Sequence, residues 1–210
     1  FLRSYSSTKF CLSGAWSRSS KTGSLKELVA NSDVIIDFSF AEALPQLIDE
    51  CIAYKKPLIS GTTGLDDEII HKLQKSSDII PVFYSANMSI GANLIGMMAR
   101  DALSVLPEDF DVEIIDIHHK HKKDAPSGTA LNIQKMMKDA SGKHNINITS
   151  IRTGIGAGEH TVLFSGPDET VTVSHKTFSR TPYVKGACEA AIWICKQNPG
   201  MYNMRDFLLE

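Results

Sequence analysis

Short apolar runs alternate with helix-length segments through the first part of the chain, and this alternation constrains the fold more than any other feature. The predicted strands cover residues 10–16, 33–38, 57–60 and 79–84, and the predicted helices cover residues 25–31, 41–54 and 65–75. Strands that are apolar along their whole length are typical of parallel sheets covered by helices on both faces. The pattern therefore predicts a doubly wound α/β layer.

Small and polar residues follow three of these strands, in segments 37–40, 61–64 and 85–88. In open parallel sheets, ligands bind at the carboxyl ends of the strands. We therefore expect a ligand site along that edge of the predicted sheet.

The second part of the chain has a different pattern. Predicted helices cover residues 91–106, 131–138 and 188–197, and predicted strands cover residues 112–118, 146–152, 159–165 and 169–174. Strands that follow one another with only turns between them favour antiparallel pairing. This block is therefore predicted to be an α+β arrangement with a mixed or antiparallel sheet.

Composition limits the classes of partner. The chain has 210 residues, 42% of them hydrophobic, and a formal net charge of −2, which argues against a surface made for nucleic acid or anionic lipid. No apolar run approaches the roughly 20 residues that a membrane-spanning helix needs. The four cysteines lack the close spacing of a zinc or redox motif, so we expect reduced thiols in a cytoplasmic protein.

The first residues allow two interpretations. Residues 1–26 contain Arg, Lys and Ser but no acidic residue, as transit peptides do. The apolar run at 10–16 instead favours a buried strand, with the chain starting inside a domain, and this is the interpretation we expect.

The stretch HHKHKKDAPSGTAL, residues 118–131, follows a predicted strand. Pro126 predicts a turn, Ser127 is a good N-cap, and Gly128 and Thr129 begin the next predicted helix. A helix N-terminus carries free amides and about +0.5 elementary charge, so nearby lysines predict a pocket for an anion such as a carboxylate. Histidines in such a pocket are natural proton donors near neutral pH.

Other interpretations of this basic stretch are a solvated loop, a metal site and a phosphate contact. Adjacent His118 and His119 would point to opposite faces of a strand, and no second Cys or His cluster is evident, so no metal is expected. The stretch also lacks interleaved aromatic residues and lies in an acidic protein, so no nucleic acid is expected as a partner.

The stretch EIIDIHHKHKKDAPSGTA, residues 113–130, resembles the signature of the bacterial dihydrodipicolinate reductase (4-hydroxy-tetrahydrodipicolinate reductase) family. Further similar blocks are GTTG at 61–64, SANMSIGANL at 85–94, GEHTVLF at 158–164, SHKTFSR at 174–180, KGACEAAIWI at 185–194 and GMYNMRDFL at 200–208. The resemblance covers nearly all of the chain from about residue 14.

The resemblance implies an enzyme of lysine and diaminopimelate biosynthesis that reduces a cyclic, unsaturated dicarboxylate with NADPH or NADH. It implies that His118 is the catalytic proton donor and Lys122 the catalytic lysine. The substrate would be bound by His119, Ser127, Gly128 and Thr129.

The resemblance also implies cofactor contacts in several loops. The residues concerned are Gly61, Thr62, Thr63, Ser85, Ala86, Asn87, Met88, Arg180 and Tyr183. Met88 stands where an aromatic residue is frequent, so we expect different packing of the nicotinamide. Arg180 and Tyr183 also suit a surface ion pair and a packed ring. Phe38 suits the adenosine side of the site and the core equally well.

Coenzyme choice is normally set at the end of the second strand of such a domain. Residues 15–19 contain no carboxylate, whereas Ser17 and Arg18 are placed to meet a ribose phosphate. This favours NADPH, although dual use is common in the family.

The family's architecture implies a Rossmann-like dinucleotide-binding domain at 1–89 plus 181–210. A substrate-binding and oligomerisation domain at 90–180 would join four chains into a homotetramer. Domain closure would bring His118 to the nicotinamide. The family's first strand and glycine-rich loop have no counterpart in residues 1–9, and we expect that the given sequence omits them. The alternative is a truncated, catalytically impaired homologue that acts as a dicarboxylate-binding protein.

Overall fold

The structure, a computed structural model, describes residues 10–17, 24–140 and 145–210. Its backbone divides into two units. The first runs to Met88 and includes Tyr183–Glu210, and the second is Ser89–Pro182. The functions that we assign to the two domains stay predictions.

Seven α-helices and eight strands occur among the described residues. In chain order they are α1 (Leu25–Ala30), β1 (Ile35–Asp37), α2 (Leu44–Ala53), β2 (Leu58–Ser60), α3 (Asp67–Ser76), β3 (Pro81–Tyr84), α4 (Ile90–Val105), β4 (Asp111–His118), α5 (Gly128–Lys138), β5 (Ile146–Arg152), β6 (Gly158–Ser165), β7 (Thr170–Thr177), α6 (Thr181–Ile194), β8 (Gly200–Tyr202) and α7 (Met204–Leu209). A short 3₁₀ turn, Ala41–Ala43, precedes α2.

The first unit contains a parallel sheet with the strand order β1-β2-β3-β8. Buried apolar side chains from its strands and helices form one core, which includes Val29, Ile48, Leu58, Leu73 and Val82. Parallel neighbours need a crossover connection, because the chain must return to the same end of the sheet, and helices α2 and α3 supply these connections. The predicted α/β class is confirmed.

Two predictions for this unit are wrong. Residues 11–17 form no strand, and Leu12 and Trp16 are 44% and 39% exposed. A strand needs a neighbour for its backbone hydrogen bonds, and no described strand pairs with this segment. The predicted closing helix at 188–197 is instead α6, whose buried face consists largely of Gly and Ala and gives little apolar periodicity. The short elements β8 and α7 were not predicted.

The second unit contains a mixed sheet with the strand order β5-β4-β6-β7. The pairs β4–β6 and β6–β7 are antiparallel, whereas β4–β5 is parallel because α5 crosses between them. The core contains Ile95 and Leu103 from α4, Ile133 from α5, and Ile114 and Phe164 from the sheet. The predicted α+β class with a mixed sheet is confirmed.

No helix in the described part of the chain is long and apolar enough to cross a membrane.

Candidate functional site

One face of strand β4 contributes apolar side chains to the core of the second unit and, further along the strand, polar side chains to the candidate site. Its side chains alternate between buried and partly exposed, with Val112, Ile114, Asp116 and His118 buried. Because side chains two residues apart point the same way, the polar pair continues the apolar face. Asp116 has no exposed surface, and His118 is 6% exposed.

The two oxygens of the Asp116 carboxylate have different neighbours. Oδ1 lies 2.8 Å from Nδ1 of His118 and 3.4 Å from Nε2 of His160. Oδ2 accepts hydrogen bonds from the Ser127 amide at 2.8 Å, the Arg152 guanidinium at 2.9 Å and the Ser150 hydroxyl at 3.1 Å. One oxygen therefore faces two histidines, while the other is held by β5 and the start of α5.

Burial raises the pKa of the Asp116 carboxyl, but its contacts oppose this effect. The contacts with His118, His160 and Arg152, together with the Ser127 amide, hold the pKa of Asp116 well below its usual range. A buried carboxylate is costly unless cations and hydrogen-bond donors compensate it. Asp116 is therefore an ionised group in a positively charged surrounding.

The loop between β5 and β6 lies beside the end of β4. The His118 carbonyl accepts a hydrogen bond from the Thr153 amide at 2.8 Å, and the His119 amide donates to the Gly156 carbonyl at 3.1 Å. Gly158 has a φ of 156°, and a Cβ there would lie 2.8 Å from Nε2 of His118. The missing side chain at Gly158 therefore leaves the Nε2 edge of the ring uncrowded.

Helix α5 begins at the predicted position. The Ser127 hydroxyl accepts a hydrogen bond from the Ala130 amide at 3.2 Å and lies 3.1 Å from Nε2 of His160. Gly128 is exposed, with no atom within 4 Å of where its Cβ would be, and Thr129 is half-buried. The first turn of α5 is thus open beside the histidines, which suits an anion.

The other basic residues differ in exposure. Lys122 is 23% exposed, and its Nζ lies 2.9 Å from Oδ1 of Asp124. The pKa of the Asp124 carboxyl is lowered, chiefly by this contact. His119 is half-buried, whereas Lys120, His121 and Lys123 are exposed, as a solvated rim would be.

Sequence reasoning missed three members of this cluster: Asp116, Arg152 and His160. Asp116 lies two residues before His118 and so shares its strand face, a signal that was available. His160 lies in the GEHTVLF block, but pairing of β6 with β4 is needed to bring it near. Arg152 had no sequence signal.

The expectation that no second Cys or His cluster accompanies His118 was wrong, because Asp116 and His160 lie beside it. Ligand atoms of Asp116, His118 and His160 all lie within 4.8 Å of one another, which is close enough to hold a metal ion. However, the Arg152 guanidinium already neutralises the same carboxylate. We therefore interpret the cluster as an ionic and hydrogen-bonded network centred on Asp116.

A second buried carboxylate, Asp37, lies at the carboxyl end of β1 in the first unit. It accepts hydrogen bonds from the Ser39 amide and hydroxyl at 3.0 and 2.5 Å, from the Ser60 hydroxyl at 2.8 Å and from the Thr62 hydroxyl at 2.7 Å. These bonds join the loops after β1 and β2, where the predicted cofactor residues lie. Thr62 is buried, and its hydroxyl also accepts a hydrogen bond from the Ser39 amide at 3.0 Å, so it belongs to the cluster that holds the two loops.

Phe38 lies over Gly61, and a Cβ at Gly61 would clash with its ring. The Phe38 ring is 50% exposed, so it is not part of the core. A flat exposed ring beside a glycine, at the carboxyl ends of parallel strands, fits a nucleotide cofactor.

The remaining predicted cofactor residues are more scattered. Thr63 and Ala86 are exposed, Ser85 and Asn87 are half-buried, and Met88 is 1% exposed. Ser17 is exposed, and Arg18 lies outside the described residues. Arg180 is exposed just before α6, and Tyr183 is half-buried in the first turn of that helix.

Two family models match the chain. The model of the dihydrodipicolinate reductase N-terminus matches residues 8–88, and that of the C-terminus matches residues 91–208. Similar proteins named 4-hydroxy-tetrahydrodipicolinate reductase include those of Rickettsia bellii, 40% identical over 87% of this chain and 78% of the relative. That of Campylobacter jejuni is 40% identical over 90% of this chain and 85% of the relative.

One solved structure of similar fold is dipicolinate-bound dihydrodipicolinate reductase from Paenisporosarcina sp. TG-14. Its TM-score is 0.76 at 24% identity, covering 86% of this chain and 76% of that one. The resemblance inferred from the sequence motifs is thus confirmed by independent matches to both parts of the chain. The chain belongs to the dihydrodipicolinate reductase family.

Proposed function

We propose that this protein reduces 4-hydroxy-tetrahydrodipicolinate to tetrahydrodipicolinate in lysine and diaminopimelate biosynthesis, with a nicotinamide cofactor as reductant. The observation that carries this proposal is the juxtaposition of a buried histidine, held by Asp116, with the open N-terminus of α5. Relatives of about 40% identity that carry the reductase name favour this activity over a dicarboxylate-binding protein without catalysis.

The substrate's carboxylates are the groups that the second unit is suited to bind. The amides of Gly128 and Thr129, at the start of α5, are placed to hold one carboxylate, with Ser127 fixing the helix start. Lys122 and His119 supply positive charge and hydrogen-bond donors to the same ligand. Lys122 exchanges its contact with Asp124 for one with the substrate.

His118 is the proton donor in this proposal. Its Nδ1 lies 2.8 Å from Asp116, so the proton leaves from the opposite nitrogen, Nε2, on the edge that Gly158 keeps uncrowded. A positioned acid of this kind typically contributes about 10²–10⁴-fold to the rate.

The loops of the first unit fit a nicotinamide cofactor, which supplies the hydride when bound. Phe38, Gly61 and Thr63 would contact it after β1 and β2, and residues 85–88 after β3. Because residues 15–19 contain no carboxylate and include Arg18, we propose a preference for NADPH over NADH.

The assembly and location are also proposals. Family resemblance supports a homotetramer, and the sheet face opposite the core of the second unit carries the incompletely buried Ile115, Ile117 and Leu163. The four cysteines are free thiols, which supports a cytoplasmic location.

The test is oxidation of NADPH and of NADH, with the substrate made in place from pyruvate and aspartate semialdehyde. We expect turnover with a lower KM for NADPH. The variant His118→Gln should lose about 100-fold in kcat with little change in NADPH affinity, and the exposed neighbour substitution His121→Gln is the matched control. Lys122→Ala should lower both kcat and substrate affinity.

Two results would contradict these proposals separately. No oxidation of either cofactor would reject the reductase activity. Wild-type turnover in His118→Gln would reject His118 as the acid while leaving the activity in place.

A further inference from the structure

We propose that Asp116 is a positioning residue, which fixes the His118 ring through Nδ1 and, by its other oxygen, fixes the start of α5. It would thereby set the proton donor and the carboxylate site at a constant spacing. This inference rests on the proposed function for its kinetic consequences only.

The first support is that the two oxygens of the Asp116 carboxylate have different partners. Oδ2 has three donors, from Ser127, Ser150 and Arg152, and these come from the start of α5 and from β5. In the part of the chain that the structure describes, Oδ1 has none of these donors and instead faces His118 and His160. A purely structural role for Asp116 would not require one of its oxygens to face two imidazole rings.

The second support is the geometry of the His118 contact. Among the described residues, neither Oδ1 of Asp116 nor Nδ1 of His118 has a well-aligned hydrogen bond, although the two atoms are 2.8 Å apart. At this distance the two atoms form an ion pair when the His118 ring is protonated. A carboxylate at Nδ1 determines which nitrogen of a neutral histidine keeps its proton.

The third support is the network that keeps Asp116 in place. The Arg152 guanidinium bonds to the Asp116 side chain, to its carbonyl at 3.2 Å and to the Asp124 carbonyl at 2.6 Å. Arg152 therefore ties β4 to the basic loop. Ser127 joins the same network from α5, since its hydroxyl lies 3.1 Å from His160.

The charges around His118 can be assigned strand by strand. Asp116 lies on β4, Arg152 on β5 and His160 on β6, and His175 on β7 is paired in register with His160. The pKa of His175 is lowered by burial and by the charge of His160. Among the described residues, Asp116 is thus a negative charge in contact with the His118 ring, and Arg152 is a permanent positive charge in contact with Asp116.

The proton balance of the step leaves Asp116 unchanged. Conversion of 4-hydroxy-tetrahydrodipicolinate to tetrahydrodipicolinate releases the 4-hydroxyl group as water, which leaves an unsaturated ring. That ring gains a hydride from the cofactor and a proton from Nε2 of His118, so that one N–H bond breaks and the cofactor is oxidised. The ring becomes neutral and keeps its proton on Nδ1, facing the carboxylate. Asp116 stays ionised and acts only through His118 and α5.

The kinetic test compares Asp116→Asn with Asp116→Glu, which retains the charge, and with Ser150→Ala, which removes one bond to Oδ2 only. In Asp116→Asn we expect kcat to fall about 10–100-fold, and the alkaline limb of the pH profile of kcat/KM to move about one unit toward lower pH. Asp116→Glu should restore the position of the limb, and Ser150→Ala should leave it unchanged. An unmoved limb in folded Asp116→Asn would overturn the proposal, since a merely structural role predicts lower activity at every pH.

Two measurements do not depend on reductase activity. Nitrogen-15 NMR of the unsubstituted chain at alkaline pH should show neutral His118 with its proton on Nδ1. A proton on Nε2 would overturn the proposal even if Asp116→Asn fails to fold. Calorimetric titration with dipicolinate should show about tenfold weaker binding in Asp116→Asn than in Ser150→Ala, and equal binding would reject the link to α5. If these results hold while neither cofactor is oxidised, the reductase proposal fails and the positioning role stands.

Discussion

Two buried carboxylates, Asp37 and Asp116, lie at or near the ends of strands in the two units, but their surroundings differ. Asp37 is held by one backbone amide and by hydroxyls of Ser39, Ser60 and Thr62. Asp116 is held by one backbone amide, one hydroxyl, an arginine and two histidines. The partners of Asp116 therefore include one permanent cation, Arg152, and two histidines that become cations when they are protonated.

The difference indicates what each carboxylate does. Neutral hydroxyls bind an aspartate without responding to pH, so the Asp37 cluster is suited to hold two loops in a fixed shape. Cationic groups bind an aspartate more strongly than hydroxyls do. When the cation is a histidine, the strength of that interaction changes as the ring gains or loses a proton. The Asp116 cluster is therefore suited to proton chemistry, and the Asp37 cluster to shaping a ligand surface.

Removing each carboxylate tests the comparison most strongly. Asp116→Ala leaves Arg152 and two histidines buried without their counter-charge, and we expect it to lower the free energy of unfolding by about 3–5 kcal/mol. Asp37→Ala leaves hydroxyls that can turn to other acceptors, and we expect a loss of about 1–3 kcal/mol. Urea unfolding of both variants measures this, and equal losses would contradict the proposed difference.

Each carboxylate also has a nearby glycine that makes room for a ring. Gly158→Ala forces a side chain into a backbone with φ of 156° and against the buried His118 ring, so we expect about 2–3 kcal/mol of destabilisation and loss of turnover. Gly61→Ala meets Phe38, whose half-exposed ring can swing away. We expect a loss below about 1 kcal/mol there, with weaker cofactor binding as the main effect.

Unfolding measurements on the two alanine variants, with NADPH titration of Gly61→Ala, decide this point. A larger loss of stability in Gly61→Ala would show that the Phe38 ring is held rigidly.

The Asp116 cluster should have an acid signature. The pKa of Asp116 is held well below its usual value, near 3.9 in an unfolded chain, so below about pH 5 the unfolded state binds more protons. The stability that Asp116 contributes is therefore fully present above about pH 5 and is lost as the pH falls through 4 and below. We expect a slope of about 1 kcal/mol per pH unit near pH 3 that is absent in Asp116→Asn and retained in Ser150→Ala. Urea unfolding between pH 5 and pH 3 measures it, and equal slopes would contradict the assignment.

The sequence predicted the parts of this fold that have strong local patterns. Residues 146–152 are a strand at the predicted positions, and Ser127 caps α5 as predicted. The run at 10–16 has the apolar character of a strand. Whether it forms one depends on a neighbouring strand to pair with, and the run itself does not show whether that neighbour is present. The strand β8 has three residues, too few for any periodicity to show.

In the candidate site, too, the sequence predicted the residues of one local motif but not those that strand pairing brings to it. His118 and Lys122 belong to one contiguous motif, so their proposed roles were open to sequence reasoning. Arg152 and His160 reach Asp116 only through the parallel pairing of β5 and the antiparallel pairing of β6 with β4. The residues proposed to orient His118 are thus brought together by the register between strands, which a single sequence does not reveal.

The smallest expected effect concerns a thiol near Asp37. Burial, and next the charge of Asp37, raise the pKa of Cys51 to about 12, whereas burial and the charge of Glu189 raise the pKa of Cys188 to about 11. Asp37→Asn should lower the pKa of Cys51 slightly, because burial remains, and should leave that of Cys188 unchanged. Alkylation by iodoacetamide at pH 9, followed for each cysteine by mass spectrometry, should therefore become modestly faster at Cys51 only.

Loosening of the hydroxyl cluster is a competing cause of faster alkylation, and Ser60→Ala separates the two. That variant removes a 2.8 Å hydrogen bond to Asp37 while keeping the carboxylate. We expect Cys51 in Ser60→Ala to react more slowly than in Asp37→Asn. Equal alkylation rates in the two variants would mean that opening of the cluster, and not the charge of Asp37, determines the reactivity of Cys51. The hydroxyl-bound carboxylate would then have little electrostatic effect beyond its own hydrogen bonds.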